Sequence, residues 1–405
     1  MTPAATIASP AGASLDLSKW RKIPFILIVA GGLLALIGAF VNTKQFAYSY
    51  LLAFMFYLSL CLGGLFLVLL HHLFDASWSV PIRRIEEHFA GFLPIMTALF
   101  LPIAFFAKTI YPWMTANPNT DHALRSKLPL FTVPMFYVVA ALCFAVWALL
   151  SNRLRYWSLK QDVTGAAECT HKLRFYAAWG IFAFAVTLTL GAIMWMKALQ
   201  HQWFSTMYGV YYFAGSVWTT LPTIFLIALV LRRSEPFRTL LTPTLFYYLG
   251  TLMFAFTVFY AYIHFSQYFI IWNANVPEET FWYVLREKGS WWDIGMVIVF
   301  GHFLVPFLAL LRIDFKLKFS VMIPLCLWAW LMHFCDLSFN IMPTPHPDGF
   351  VLHWLDLACM AFIGGVLAKV FLAMFAKHPP YPLRDPRLKE ALTSYEIPPD
   401  EATEH

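Results

Sequence analysis

Charged residues are scarce in this chain. Asp, Glu, Lys and Arg make up 12% of its 405 residues, whereas 60% are hydrophobic. That balance excludes an ordinary soluble domain and a disordered chain, and it places the sequence in the membrane class. Long polar connections are also missing, so no loop can hold a soluble domain. The six cysteines, five of them in apolar stretches, form no C-x-x-C, no C-x-x-C-H and no ferredoxin-type run. The chain is therefore expected to bring neither covalent haem nor an iron–sulfur cluster of its own. No fixed metal-ligand motif is present either. The first eighteen residues, rich in Ala, Ser and Pro, lack the basic run before a short apolar core that marks a cleaved signal.

What is present is a series of apolar blocks, each about 20 residues or longer and so long enough to span a bilayer. They fall near 23–41, 48–73, 88–110, 130–150, 174–199, 206–231, 241–272, 290–311, 319–341 and 351–375. The predicted fold class is all-α: a polytopic membrane protein with ten transmembrane helices over residues 23–376. Segments 1–22 and 377–405 lie outside that domain. The seventh block is long for a bilayer and is expected to tilt or project. The Pro-containing tail reads either as an extended arm or as disordered chain.

Orientation follows from the basic residues. Twenty of the 28 Lys and Arg fall on one side, in the segments around Arg21, Arg83, Arg155, Arg232, Arg312 and Arg384. Lys44, Lys108, Arg125, Lys127, Lys197, Arg286 and Lys288 fall on the other. Both termini are thus expected on the cytoplasmic side of the membrane. The net charge of +6 reflects this bias and gives no argument for nucleic acid.

A weak internal repeat runs along the chain. YSYLLAFMFYLSLCLGG in span 2 leads to Arg83-Arg84, and TMYGVYYFAGSVWTTLP in span 6 leads to Arg232-Arg233. Four spans separate the copies, so both have the same orientation. The repeat predicts two four-helix bundles, spans 2–5 and 6–9, flanked by spans 1 and 10. Pro94, Pro102, Pro134, Pro222, Pro306 and Pro324 are expected to kink their spans. After span 7, Pro277, Glu278 and Glu279 suit the first turn of a short interfacial helix that Gly289 could stop. Trp282, Trp291 and Trp292 would sit at headgroup level.

Ionisable side chains inside spans are rare enough to form the default functional hypothesis. His71, His72 and Asp75 close span 2. His302 lies mid-span in span 8, with His264 of span 7 nearer the periplasm. His333 and Asp336 of span 9, and His353 and Asp356 of span 10, lie toward the periplasm. Asp336 and Asp356 are each about five residues from a helix end, roughly 7–8 Å inside the boundary. Histidines and carboxylates at graded depths suit a proton relay, running from His72 and Asp75 through His302 and His264 to Asp336 and Asp356. Tyr260, His264 and Gln267 share one helix face, which offers an alternative quinone-binding site. Blander readings stand beside these. His71, His72 and Asp75 can be interfacial residues, His353 can cap its helix, and His264 and His302 can satisfy a carbonyl or a Tyr hydroxyl. The Phe and Tyr stripes read as packing and lipid contact.

The run FAFTVFYAYIHFSQYFIIWNANVPEETFWY (254–283), with WFSTMYGVYYFAGS before it and GHFLVPFLALL after it, closely resembles the ActF membrane component of the bacterial alternative complex III. SWSVPIRRIEEHFAGFLPI (77–95) looks like the same family. The likeness extends over nearly the whole chain from span 1 to span 10. That family is similar to the NrfD-like membrane anchors of the polysulfide-reductase type. The resemblance implies ten spans in two four-helix bundles, within a complex that oxidises quinol. Its electrons pass to a c-type cytochrome or directly to a terminal oxidase. It implies partners: a sister NrfD-like subunit, a multihaem cytochrome c and an iron–sulfur subunit. Those partners hold the c-type haems and iron–sulfur clusters. In such complexes the quinol site is assigned to the sister subunit, and a proton path is proposed for the ActF family. One departure is visible. Family members often carry a D-L-G-K-like pattern near the start of span 7, where this chain reads Tyr247-Tyr248-Leu249-Gly250-Thr251. That leaves His71, His72 and Asp75 as the expected cytoplasmic entrance.

Overall fold

A computed structural model describes residues 20–393, and the expectations for residues 1–19 and 394–405 lie outside the described residues. Among the described residues no strand forms, and ten helices are long and apolar enough to cross a membrane. These spans are Lys22–Val41, Thr43–Phe74, Arg83–Phe105, Val133–Thr164, Ala167–Trp195, Tyr208–Leu231, Pro243–Ala274, Ser290–Leu311, Phe319–Ile341 and Trp354–Lys377. The chain is a multi-pass, all-α membrane protein.

Spans 2–5 close into one four-helix bundle and spans 6–9 into a second. Spans 2 and 6, the equivalent members of the repeat, pack on each other between the bundles and are the most deeply buried helices. A Cβ added to Gly63 of span 2 would stand 2.7 Å from the Ser216 carbonyl oxygen of span 6, so glycine allows this backbone approach. Spans 1 and 10 do not flank the bundles on separate sides. They pair antiparallel with each other, and span 10 packs on span 2. Small residues make that pairing possible: a Cβ at Gly31 would lie 2.6 Å from the Phe362 nitrogen.

Several boundaries depart from the hydropathy pattern. Spans 4 and 5 run on as helix through the polar stretch 151–166 and meet at Gly165, whose φ of +65° provides the left-handed cap. Leu154, Ser158, Gln161 and Asp162 are buried on one side of this projection, so packing extends the helix past its apolar part. Span 3 is broken into short helices, two of which start at Pro94 and Pro102. Pro134 lies in the first turn of span 4 and kinks nothing. The interfacial helix forms over Pro277–Arg286, but Gly289 does not stop it; Gly289 precedes span 8 with φ +52°. Trp282 and Trp291 face inward, and Trp292 alone of the three is exposed.

We call the end bearing Arg83, Arg84, Arg232 and Arg312 the basic end, and its opposite the far end. The described part of the tail folds back onto the basic end. Leu383 N–H donates to Asp162 (2.9 Å), Arg384 to the Val163 carbonyl (2.6 Å), Asp385 pairs with Arg83, and Arg387 with Asp75 (2.7 Å).

Candidate functional site

The second bundle carries a polar cluster inside the spans. The Tyr260 hydroxyl of span 7 donates to Asp336 Oδ1 of span 9 at 2.7 Å, and the Tyr211 hydroxyl of span 6 donates to the same oxygen. Asn340, one turn beyond Asp336, donates to the Tyr211 hydroxyl (2.9 Å) and accepts from Tyr208 (2.9 Å). The helical period brings this about. Tyr208 and Tyr211 are three residues apart and Asp336 and Asn340 four, so each pair shares one face. Asp336 is 2% exposed, and among the described residues no cation pairs with it. The Asn340 amide also reaches Asp336 Oδ1, at 3.5 Å. A buried carboxylate held by neutral donors alone has no counter-charge to fix its ionised form.

His302 lies deeper, about 18 Å along its helix from the far end. Its ring is sandwiched between Trp218 and Tyr260, each centroid 3.8 Å away. It is fully buried, and neither ring nitrogen has a hydrogen-bond partner. The helix is π-wound over Ile298–Leu304, which displaces the ladder here, and the Gly301 carbonyl accepts from Trp328 Nε1 (2.8 Å). Single-turn π segments of this kind are often found at functional sites.

His333 completes the group. Its Nε2 meets Ser59 Oγ of span 2 at 2.8 Å, while the Ser59 hydroxyl donates to the Phe56 carbonyl (2.6 Å). Ser has one proton to give, so Nε2 carries the histidine proton and Nδ1 keeps its lone pair. That Nδ1 is buried without a partner. A Cβ placed on Gly215 would lie 3.7 Å from Nδ1 and 3.9 Å from the Tyr260 ring, so His333 and Tyr260 border one small space. His264 is half-buried with its ring against Tyr260 (5.8 Å) and Tyr211 (5.6 Å).

Other residues singled out from the sequence go elsewhere. Asp356 is not joined to Asp336. It closes a capping box with His353, accepting from the His353 N–H (2.9 Å), and accepts from Ser49 (2.5 Å). Ser49 accepts from Gln45, whose Oε1 takes the His346 Nε2 proton (2.7 Å), so Asp356 heads a short chain to the far end. Asp75 is partly exposed, caps span 2 in the left-handed conformation and pairs with Arg174 and Arg387. His71 lies between Ser79 (2.6 Å) and Arg83 (2.9 Å). His72 is buried without a partner. Between His71 and Ser59, span 2 offers no hydrogen-bonding side chain except Cys61. Span 2 alone therefore does not link Asp75 to Ser59, although Thr220 of span 6 packs against Gly63 and Leu60 in between. Gln267 is fully engaged, accepting from Ser205 (2.7 Å) and donating to Tyr283 (3.1 Å), and Tyr260 is engaged by Asp336. Two of the three residues of the alternative ring-binding face thus already hold protein partners.

Sequence reasoning did not select Tyr208, Tyr211, Trp218 or Asn340, nor Glu86, whose two carboxylate oxygens are buried without partners at the foot of span 3. It also passed over Arg286 in the interfacial helix. Arg286 lies 3.4 Å from the Trp282 ring centroid and donates to the Phe339 and Asn340 carbonyls, tying that helix to the end of span 9. Burial pulls its pKa down to about 9. A wide cavity of about 1090 Å³ opens at the far end beside Asp121, His122, Phe204 and Glu278, away from all the residues chosen from the sequence.

No protein-family model matches the chain, and neither does any curated protein. The family expectation rests on the residue runs that suggest it.

Proposed function

We propose that this chain is an integral membrane subunit of a respiratory quinol:electron-acceptor oxidoreductase of the alternative complex III type, and that spans 6–9 supply a transmembrane proton path. In this reading the basic end and both termini face the cytoplasm of a bacterial inner membrane. The chain holds no redox centre; partner subunits bind quinol, c-type haems and iron–sulfur clusters.

The observation that carries the proton reading is the set of buried, unpartnered ring nitrogens on His302 and His333 beside a carboxylate with no cation. Leaving such groups unpaired costs about 1–3 kcal/mol each, so packing alone does not favour them. Each can take and release a proton. His302 receives a proton on a ring nitrogen at mid-membrane. His333 Nδ1 offers a second lone pair next to Tyr260. Asp336 takes the proton onward, its anion stabilised by the Tyr211 and Tyr260 hydroxyls between turnovers. Asn340 and Tyr208 lead from there to the far end, where the proton leaves.

Native mass spectrometry of the assembly that co-purifies with this chain tests the family reading. Multihaem cytochrome c and iron–sulfur subunits are expected. A chain recovered alone, or only with copies of itself, would contradict it.

A further inference from the structure

The proton cluster of spans 6–9 needs an access point at the basic end, and the groups expected from the sequence sit under the other bundle. At the basic end of spans 6–9 a buried titratable group, Lys316, faces the second bundle. It belongs to the short helix Ile313–Leu317 between spans 8 and 9, which folds onto span 7. The side chain is 6% exposed. Its stem lies across Gly250, where an added Cβ would stand 3.0 Å from Lys316 Cβ and 3.1 Å from Cγ. Its ammonium reaches Thr251 Oγ1 at 3.4 Å and lies 5.3 Å from the Tyr247 ring and 5.4 Å from the Phe254 ring. Among the described residues no carboxylate pairs with it; the nearby Asp314 is taken by Arg312 in an exposed pair at 2.7 Å. A lysine that only marked the cytoplasmic side would extend into water, as its neighbours in such loops do.

We infer that Lys316 is the proton uptake group of the second bundle, a role that rests on the proton-path reading above. The helical geometry supports it. Phe254 stacks on Phe307 of span 8 (5.4 Å), and Phe307 meets Phe303 (5.1 Å), which is next to His302 in sequence. His302 is five residues from Phe307, about 8 Å along the helix. A row of three rings, Phe254, Phe307 and Phe303, leads from beside the Lys316 ammonium to the residue next to His302. It forms a seal that one or two waters can cross when the rings part. In the transfer an N–H bond of the Lys316 ammonium breaks, the proton crosses through water, and an N–H bond forms at a His302 ring nitrogen. The neutral amine then regains a proton from the basic-end solvent. Burial lowers the proton affinity of the lysine, which favours release.

The test uses the assembled complex in proteoliposomes, with proton release per electron transferred as the readout. Lys316→Met and Lys316→Arg are compared, with Asp336→Asn in parallel and native mass spectrometry to verify assembly. Arginine keeps the charge and the long stem but does not release a proton. Both Lys316 variants are expected to lower the ratio at least about fivefold while uncoupled turnover persists. Recovery of the normal ratio by Lys316→Arg would overturn the inference in favour of a fixed charge. A normal ratio in Lys316→Met, with the Asp336→Asn ratio lost, would overturn the uptake role alone. Normal ratios in both Lys316→Met and Asp336→Asn would overturn the proton path itself.

Discussion

In spans 2–5 the buried charges gather at the basic end and neutralise one another. Arg84 pairs with Glu87 and Asp162, and Arg83 with Glu87 and Asp385. Further into that bundle the packing is aromatic, with Phe144 stacked on Trp195 (5.3 Å) and Trp147 bonded to Thr187 (2.8 Å). In spans 6–9 the arrangement is reversed. Asp336 lies well inside the span with neutral partners only, two tyrosine hydroxyls and the Asn340 amide, and His302 and His333 keep unused nitrogens. The two bundles share a topology but use polarity differently. Paired charges hold helices and tail in one place, whereas buried groups left without counter-charges or partners keep proton affinities that can be used. Glu86, His72 and His88, whose Nε2 has no partner, are exceptions in the first bundle, and all three stand beside its arginines.

The largest expected effect comes from breaking the paired side. Arg84→Met leaves Asp162 buried without its guanidinium and Glu87 with Arg83 as its one remaining arginine partner, at a cost of about 3–5 kcal/mol. Thermal unfolding in detergent should show it clearly beside Arg312→Met, which removes only an exposed, solvent-screened pair. Equal shifts for the two variants would show that the arginine cluster is not structural. On the other side, His302→Phe keeps a flat ring between Trp218 and Tyr260 but removes both nitrogens. Proton release per electron should fall at least about tenfold. Trp147→Phe, its counterpart in the first bundle, should cost about 1 kcal/mol of stability and leave proton release unchanged. A loss of proton release in Trp147→Phe instead would move the path to spans 2–5.

The tail contact gives a smaller, pH-dependent difference. Burial opposes ionisation of Asp385, but Arg83 and Arg387 outweigh it and hold the carboxyl at about 2, against an ordinary 3.8. A lowered carboxyl pKa stabilises the docked tail fully above about pH 4, and that contribution is lost as pH falls toward 2. Protection of residues 378–393 from acid-active protease should follow that course, and Asp385→Asn should expose the tail at neutral pH. The smallest effect is expected from Gly215→Ala, whose methyl enters the space between His333 and Tyr260. A loss of about twofold in proton release without loss of assembly would sharpen the location of the path.

Much of the fold was legible in the sequence because span length and charge bias follow from bilayer thickness and aqueous loops. The depths of His302 and Asp336 could also be counted along their helices. Which faces meet could not be counted. Asp336 and Asp356 count to similar depth along the sequence, yet Asp356 lies in the first turn of a span that starts at Trp354, and the two belong to separate networks because span 10 packs on spans 1 and 2 and span 9 on span 6. Tyr211 belongs to an aromatic stripe that reads as packing and lipid contact, and Tyr260 reads as part of a ring-binding face; only the crossing of spans 6, 7 and 9 turns their hydroxyls onto one oxygen. Lys316 counted as one more basic loop residue until its short helix was seen folded over Gly250.

The most direct test of the central claim is proton translocation by the assembled complex carrying Asp336→Asn. Asparagine keeps the shape and can accept from both tyrosines, but it cannot take up a proton. Electron transfer without proton release is the result expected. Full proton release with normal turnover would contradict the account.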